Sequence, residues 1–352
     1  MNNVELRISK DWIIPEELIE QYASMIVCAK NELGLIGVSK SFFINRLKRF
    51  HNEPVPDDSG AFNIMPLIDG KMIGWGHLSW TTKGDKWVGG ELFVYVIPEE
   101  RRKGLGTRMC RELLQKIPSY AEVLTVWAPK EEPGSSFVEE RLGLTLEKEQ
   151  IQLLSKIRQF KSDQIRQKAE KHRQIAEKND YELRFVSGED IEQDIDFPAF
   201  IKLIDQIENK KLEWTEEEIS KKVEQYRQML KRHHAHNTQV WNYLAIEKKT
   251  GNLVGYTQSL LNVEDSLLLA IDNKTGVLDE FSEAELALSL KYQVLERLLR
   301  DTKVTHWKNF GQAPNTTDSM MKVDSELGFE YSGTDYEYNL TRERWERFLD
   351  QN

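Results

Sequence analysis

Apolar positions in the first 150 residues alternate between two periods. After Pro15, the residues Leu18, Ile19, Tyr22, Met25, Ile26 and Ala29 recur at helical spacing, and Gly34 is placed to stop that helix. A second helix is predicted over 41–51. Residues 63–68 read as a strand, Asp69-Gly70 as a tight hairpin turn and 71–80 as the returning strand. Lys83-Gly84-Asp85 is a second turn, and 91–97 a further strand. The pattern then predicts a helix over 101–117, a strand over 123–127, a helix over 136–142 and a last strand over 145–153. Helices, an antiparallel meander and then alternating helix and strand define an α+β (mixed α/β) fold class.

Residues 151–180 break the pattern. They hold eight basic and four acidic residues with no Gly or Pro, and predict a charged, solvated connecting helix from Ser155 to Lys178. Beyond it the first pattern returns. Strand-like 182–185 precedes helices over 199–207 and 216–231, then a hairpin over 241–263 with its turn at Lys249-Thr250-Gly251-Asn252. A strand over 266–271, a helix over 283–300 and a short strand over 302–306 follow. Leu327-Gly328-Phe329 echoes Leu142-Gly143-Leu144. The order repeats at half the chain length, which is the mark of an internal duplication. The expected boundaries are a first domain over 1–154, the helix over 155–180 and a second domain over 181–352.

Composition narrows the function. The 48 basic residues against 58 acidic ones leave a net charge of −10. Nucleic-acid binding without sequence preference needs a surplus of Lys and Arg to displace counterions, so nucleic acid is not an expected partner. No apolar run approaches the roughly eighteen residues that span a bilayer, and residues 1–10 hold Glu5, Arg7 and Lys10 in place of a signal-peptide core. Cys28 and Cys110 lack disulfide-framework and zinc spacing; both are expected to be buried, reduced thiols of a cytoplasmic protein.

The strongest chemical signal is the run from Glu91 to Leu114. A strand ends at Ile97-Pro98, and Gly104 and Gly106 fall where the following loop becomes an amphipathic helix. Without β-carbons, they let several backbone N–H groups converge at a helix N-terminus, which favours an anion. Arg101, Arg102, Lys103 and Arg108 concentrate positive charge there in an acidic chain. A phosphate or pyrophosphate cradle is the physical expectation. A dinucleotide fingerprint is excluded, because the third Gly is missing and the strand follows two hairpins. A P-loop is excluded because no Gly-x-x-x-x-Gly-Lys-Ser/Thr run occurs.

Val96-x-Pro98-x-x-Arg101-x-x-Gly104-x-Gly106 at a strand-to-helix junction resembles the acetyl-CoA-binding motif of the GNAT acetyltransferase superfamily. The resemblance covers residues 5–155, including Arg141-Leu142-Gly143-Leu144 after the later strand, and the second half extends it to a tandem arrangement similar to mycothiol synthase relatives. It implies two GNAT-like domains, each a central, mostly antiparallel sheet flanked by helices. It also implies acetyl-CoA as co-substrate. Its pyrophosphate would lie on the loop of Arg101, Arg102, Lys103, Gly104, Leu105, Gly106 and Thr107, and its pantetheine arm on the strand backbone at Val94, Tyr95 and Val96. In the second copy, aligning Val277 with Val96 puts Ser282, Glu285 and Ala287 at the Arg101, Gly104 and Gly106 positions. A carboxylate where a pyrophosphate would sit repels it, so only the first domain is expected to bind.

The implied activity is direct transfer of an acetyl group to the amine of a small molecule; the alternative is a non-catalytic acyl-CoA-binding or sensing protein. Transfer needs a neutral amine and hence a proton acceptor. Glu91 stands where many GNAT enzymes place that base, and His77 on the neighbouring strand is the second candidate. The family's Tyr four residues before the closing Gly is Glu139 here. A thiolate leaving group with a pKa of about 8–9 does not require a dedicated acid. Trp75, Trp80, Trp87 and Trp127 are core residues or pocket walls. His233-His234-Ala-His236 lacks a fourth ligand and reads as a solvated helix end, so no metal site is expected.

Overall fold

The computed structural model describes residues 4–11, 13–32, 40–50, 59–83, 86–130, 133–211, 213–235, 237–262, 269–278, 283–313 and 318–351. The helix stop expected at Gly34, the Gly84-Asp85 turn, Ser282 and His236 fall outside them. In chain order the first half forms β1 (Glu5–Lys10), α1 (Ile19–Glu32), α2 (Lys40–Phe50), β2 (Ser59–Ile68), β3 (Lys71–Met72), β4 (Gly74–Lys83), β5 (Lys86–Val96), α3 (Leu105–Leu114), β6 (Val123–Pro129), α4 (Pro133–Glu140) and β7 (Leu146–Ser155). There follow α5 (Ser162–Lys178), β8 (Tyr181–Ser187), α6 (Ile191–Asp194), α7 (Phe197–Asn209), α8 (Glu216–Ala235), β9 (Thr238–Glu247), β10 (Leu253–Asn262) and β11 (Leu269–Val277). The chain closes with α9 (Glu283–Asp301), β12 (His306–Ala313), α10 (Asp318–Glu326), β13 (Phe329–Thr341) and α11 (Arg342–Asp350). No described helix is long and apolar enough to cross a membrane.

Two compact units result: Met1–Ile151 with Gly333–Asn352, and Gln152–Ser332. The fold class agrees with the expected mixed α/β architecture of two like domains. In the first unit β1, β2, β4 and β5 pair antiparallel in that order, and β6 joins β5 in parallel. In the second unit β8, β9, β10 and β11 repeat the antiparallel order, and β12 joins β11 in parallel. Each crossover runs through one amphipathic helix, α3 or α9. On α3, Leu105, Met109, Cys110, Leu113 and Leu114 are all buried, the three-to-four-residue spacing of one helix face.

The domain boundaries differ from the expected 1–154 and 181–352. The last strand does not close the second half's own unit. Residues 335–341 of β13 pair antiparallel with β6, from Asp335↔Pro129 to Thr341↔Val123. Tyr338, Leu340, Trp345 and Phe348 are thereby buried in the first unit's core. Reciprocally, the end of β7 belongs to the second unit. The Ser155 hydroxyl donates to the Leu327 carbonyl at 2.8 Å, Lys308 Nζ donates to Gln152 Oε1 at 2.6 Å, and the Ile157 N–H reaches the Thr305 carbonyl at 3.0 Å. The connecting helix is accordingly shorter than expected. It begins at Ser162, and buries Ile165, Ala169 and Ala176 within the second unit's core. Cys110 is buried, but Cys28 is exposed, contrary to expectation.

Candidate active site

β5 carries the site because it changes partners along its length. Its antiparallel pairing with β4 runs from Lys86 to Val96. Its parallel pairing with β6 covers only Glu91↔Thr125 and Leu92↔Val126. Among the described residues, 93–96 therefore have a strand on one side and no register partner on the other. Such a backbone edge can pair with an extended amide chain. Val94, Tyr95 and Val96 form this edge. Tyr95 offers only its backbone, because its ring is buried with the Arg101 guanidinium 5.5 Å from its centroid.

At the C-terminal end of that edge the chain turns sharply into α3. Arg101 Nε donates to the Val96 carbonyl at 2.8 Å and ties the loop to the strand. Arg102 (φ 61°) and Gly104 (φ 80°) both adopt left-handed backbone, which bends the loop so that its amides gather at the helix start. This is why the helix begins at Leu105 and not at the expected Arg101. Gly104 is the N-cap and supplies no side-chain acceptor for the first-turn N–H groups. A β-carbon at Gly104 or Gly106 would meet nothing within 4 Å, so the space ahead of the helix is open. Arg102 and Lys103 are exposed beside it, with Lys103 Nζ 3.0 Å from Glu100. Leu105 is buried and anchors the turn. Thr107 completes the first helical turn, where its N–H is one of the orphan donors. An open helix N-terminus flanked by cations fits a pyrophosphate.

Beyond the other end of the open edge lies Glu91, exposed, at one of the two levels where β5 pairs with β6. It forms one lining residue of a 410 Å³ groove that continues away from the cradle along Gly90, Gly89 and Val88. His77 is placed differently. It is 7% exposed, and its Nδ1 lies 3.1 Å from Asn63 Oδ1, which also accepts the Tyr22 hydroxyl at 3.0 Å. Burial pushes its pKa down to about 4, so the ring is neutral near pH 7 and a poor proton acceptor. Trp75 stacks near Phe93 at 4.8 Å, Trp80 near Phe62 at 5.9 Å, and Trp87 Nε1 donates to the Val123 carbonyl at 3.0 Å. Trp75 and Trp87 are packing residues, and Trp80 also lines the groove.

The second unit is an internal control for these roles. The pairs Gly74↔Val96 and His77↔Asn63 in the first unit match Gly255↔Val277 and Gln258↔Asn242 in the second. Gln258 Nε2 donates to Asn242 Oδ1 at 2.9 Å. The buried bridge made by His77 thus persists as an amide pair in the second unit, the behaviour of a structural group. Below Gln258, β11 carries one extra residue: Gln258 faces Lys274 but Ser259 faces Asp272. This bulge puts Leu260 and Ile271 at the levels of Ser79 and Glu91, and turns Asp272 towards α9. There Lys291 Nζ lies 2.7 Å from Asp272 and 2.6 Å from Asp324, all three nearly fully buried. Asn309 Nδ2 donates to Asp324 at 2.8 Å. The helix α9 already starts at Glu283, so Glu285 sits inside the first helical turn where Gly104 ends a left-handed loop.

Two further features escaped sequence reasoning. The Tyr338 hydroxyl donates to Glu139 Oε1 at 2.8 Å, so β13 brings a phenol to the position where the family's Tyr is missing. The Lys291 triad joins residues far apart in the chain, and no local motif announces it. Among the described residues no group of three or more His, Cys, Asp or Glu is arranged to hold a metal ion. His234 instead faces Glu189 at 3.1 Å on an exposed helix end.

Residues 39–143 match the acetyltransferase (GNAT) family. No curated protein matches the sequence. A tandem GNAT protein from the clavulanic acid biosynthesis pathway superposes with a TM-score of 0.69 at 17% identity, covering 95% of this chain and 98% of its own. A GCN5-related N-acetyltransferase from Sphaerobacter thermophilus superposes with a TM-score of 0.62 at 13% identity, covering 94% of this chain and 95% of its own. At such identities the superpositions establish a shared fold.

Proposed function

The chain carries an acetyltransferase domain of the GNAT family, and on that premise we propose that its first unit transfers the acetyl group of acetyl-CoA directly to the amine of a small molecule. The observation that carries the reading is the track along β5. An anion cradle at residues 101–107, an unpaired edge at 93–96 and the Glu91 carboxylate follow one another along β5 and the loop that leads from it into α3. The loop amides and the N-terminus of α3 hold the pyrophosphate, and the edge at Val94, Tyr95 and Val96 holds the pantetheine amides. Bound acetyl-CoA supplies an activated acetyl group and a thiolate leaving group. Glu91 takes a proton from the incoming ammonium, directly or through one water, so that the free amine can form the new C–N bond as the C–S bond breaks. The CoA sulfur leaves as a thiolate, the new amide nitrogen sheds its second proton to solvent, and solvent protonates the thiolate.

Glu91→Gln keeps the shape of the site and removes its basicity. The catalytic rate is expected to fall by about 10²–10⁴, with CoA affinity unchanged, because the cradle lies at the far end of the strand. The deficit shrinks at high pH, where an amine with a pKa of about 10 loses its proton unaided. Parallel pH–rate profiles differing by less than about fivefold, well under a positioned base's usual contribution, would remove Glu91 from the mechanism. A wild-type protein that binds acetyl-CoA yet turns over no amine would favour the acyl-CoA-binding or sensing reading.

A further inference from the structure

We infer that the acceptor is a hydroxylated primary amine, an amino-polyol or amino-sugar class of compound, and that it lies on a floor of side-chain hydroxyls beside Glu91. This rests on the transfer reaction proposed above and names the chemistry of its second substrate.

The floor follows from strand register. Across the sheet, Ser79, Glu91 and Thr125 form one row, and Ser59, Thr81 and Gly89 form the next. Residues two apart on a strand share a face, so both rows look the same way. All six line the groove. Strands lie about 4.8 Å apart and alternate residues about 6.7 Å apart along each strand. The hydroxyls are thus spaced on the scale of a short polyol chain. Among the described residues, the side chains of Ser79, Thr81, Glu91 and Thr125 make no hydrogen bond or ion pair within the protein. A β-carbon at Gly89 would meet nothing within 4 Å, so the floor is open above that position.

At the level of Ser79 and Glu91 the fold does not require this polarity. Past its bulge the second unit has Leu260 and Ile271 where the first has Ser79 and Glu91, while Lys308, Asn262 and Thr238 keep the levels of Thr125, Thr81 and Ser59 polar. A hydroxyl and a carboxylate that make no internal bonds, Ser79 and Glu91, at a level the sheet can build from apolar residues, are best explained by a ligand. The chemistry of the floor then selects it. Each hydroxyl can donate to or accept from a ligand hydroxyl. Among the described lining residues the one charge is the Glu91 carboxylate, which attracts an ammonium. No basic side chain stands among the described lining residues, so a carboxylate next to the amine, as in an amino acid, would meet Glu91 without compensation. An apolar amine would leave the hydroxyls covered and unpaired, at the cost of their hydration.

The test compares three amines built on one six-carbon chain: glucamine, hexylamine and norleucine. Acetyl-CoA consumption by the full-length protein is followed at fixed pH. Glucamine is expected to exceed both others in kcat/KM by at least about tenfold, and Ser79→Ala and Thr125→Val each to raise its KM by roughly two- to tenfold, the range of one lost hydrogen bond. Their effect on KM for hexylamine should be smaller, and CoA affinity, measured by calorimetry, should stay constant and report that both variants are folded. A preference for hexylamine or norleucine, or a glucamine KM indifferent to both substitutions, would overturn the inference while leaving the acetyl transfer intact. CoA binding with no turnover of any amine would remove the transfer reaction, and this inference with it.

Discussion

Gly104→Glu separates charge from backbone geometry at the cradle. Gly104 has φ 80°, and a β-carbon there would meet nothing within 4 Å. Any L-residue therefore carries the left-handed penalty, about 1–2 kcal/mol, but no steric clash. Gly104→Ala measures that penalty alone, as a drop in folding stability with CoA binding nearly retained. The glutamate adds a carboxylate at the N-terminus of α3, where the pyrophosphate is proposed to lie. At about 4 Å, each pair of unit charges repels by roughly 1 kcal/mol in bulk water and roughly 4 kcal/mol at an effective dielectric of 20. At 1.4 kcal/mol per factor of ten, that predicts a loss in CoA affinity between about fivefold and about a thousandfold per phosphate charge. The assay is calorimetric titration of CoA into wild type, Gly104→Ala and Gly104→Glu, with thermal unfolding to confirm that each is folded. The glutamate's deficit should shrink between roughly 0.1 M and 1 M salt, as the screening length falls from about 10 Å to about 3 Å. A folded Gly104→Glu protein with wild-type affinity would refute the cradle. An alanine variant as impaired as the glutamate would refute the electrostatic account of it.

Three further outcomes follow from buried groups. Burial holds the folded-state pKa of His77 at about 4, below its ordinary value of 6.5. Stability is therefore unaffected above pH 6.5 and falls between pH 6.5 and 4, by at most about 1.4 kcal/mol per pH unit. His77→Gln, which imports the amide of Gln258, should flatten that acid limb in urea titrations and leave acetyl transfer within a few-fold; a large loss of turnover would make His77 catalytic after all. Lys291→Met strands Asp272 and Asp324 in the core of the second unit and should cost about 3–5 kcal/mol. Burial raises the pKa of Asp324 in the folded state, and losing Lys291 removes an opposing charge, so the folded variant binds a proton there more readily than the unfolded chain and its deficit should lessen as pH falls; a deficit independent of pH would contradict this. Trp345, 3% exposed in the first unit's core, should cost about 3–5 kcal/mol when replaced by Ala; a shift below about 1 kcal/mol would mean that the C-terminal segment is not integral to that unit.

The sequence by itself determined the parts whose physics is local. The 3.6- and 2-residue periods placed α1, α2, β2, β6 and α9 within a few residues of where they lie, because an amphipathic face is written along consecutive positions. The sharp turn into α3 was legible for the same reason. Gly104 is needed where the backbone is left-handed, and the basic residues around it are its neighbours in the chain. The repeated order of elements disclosed the duplication. Even locally one strand was missed: Glu5–Lys10 alternates Leu6 and Ile8 with polar residues, but six positions are too few to stand out. The tertiary structure alone decided which segment completes which unit. β13 pairs with β6, some 200 residues earlier in the chain, and nothing in its own alternation distinguishes one sheet edge from another. It also decided that His77 is buried against Asn63, that Tyr338 meets Glu139, and that Lys291 lies between two aspartates. A single extra residue in β11 put Ile271 where Glu91 stands in the other unit. A strand's side chains alternate, so one inserted residue exchanges its two faces. That exchange shows only once the strand is paired with its neighbour.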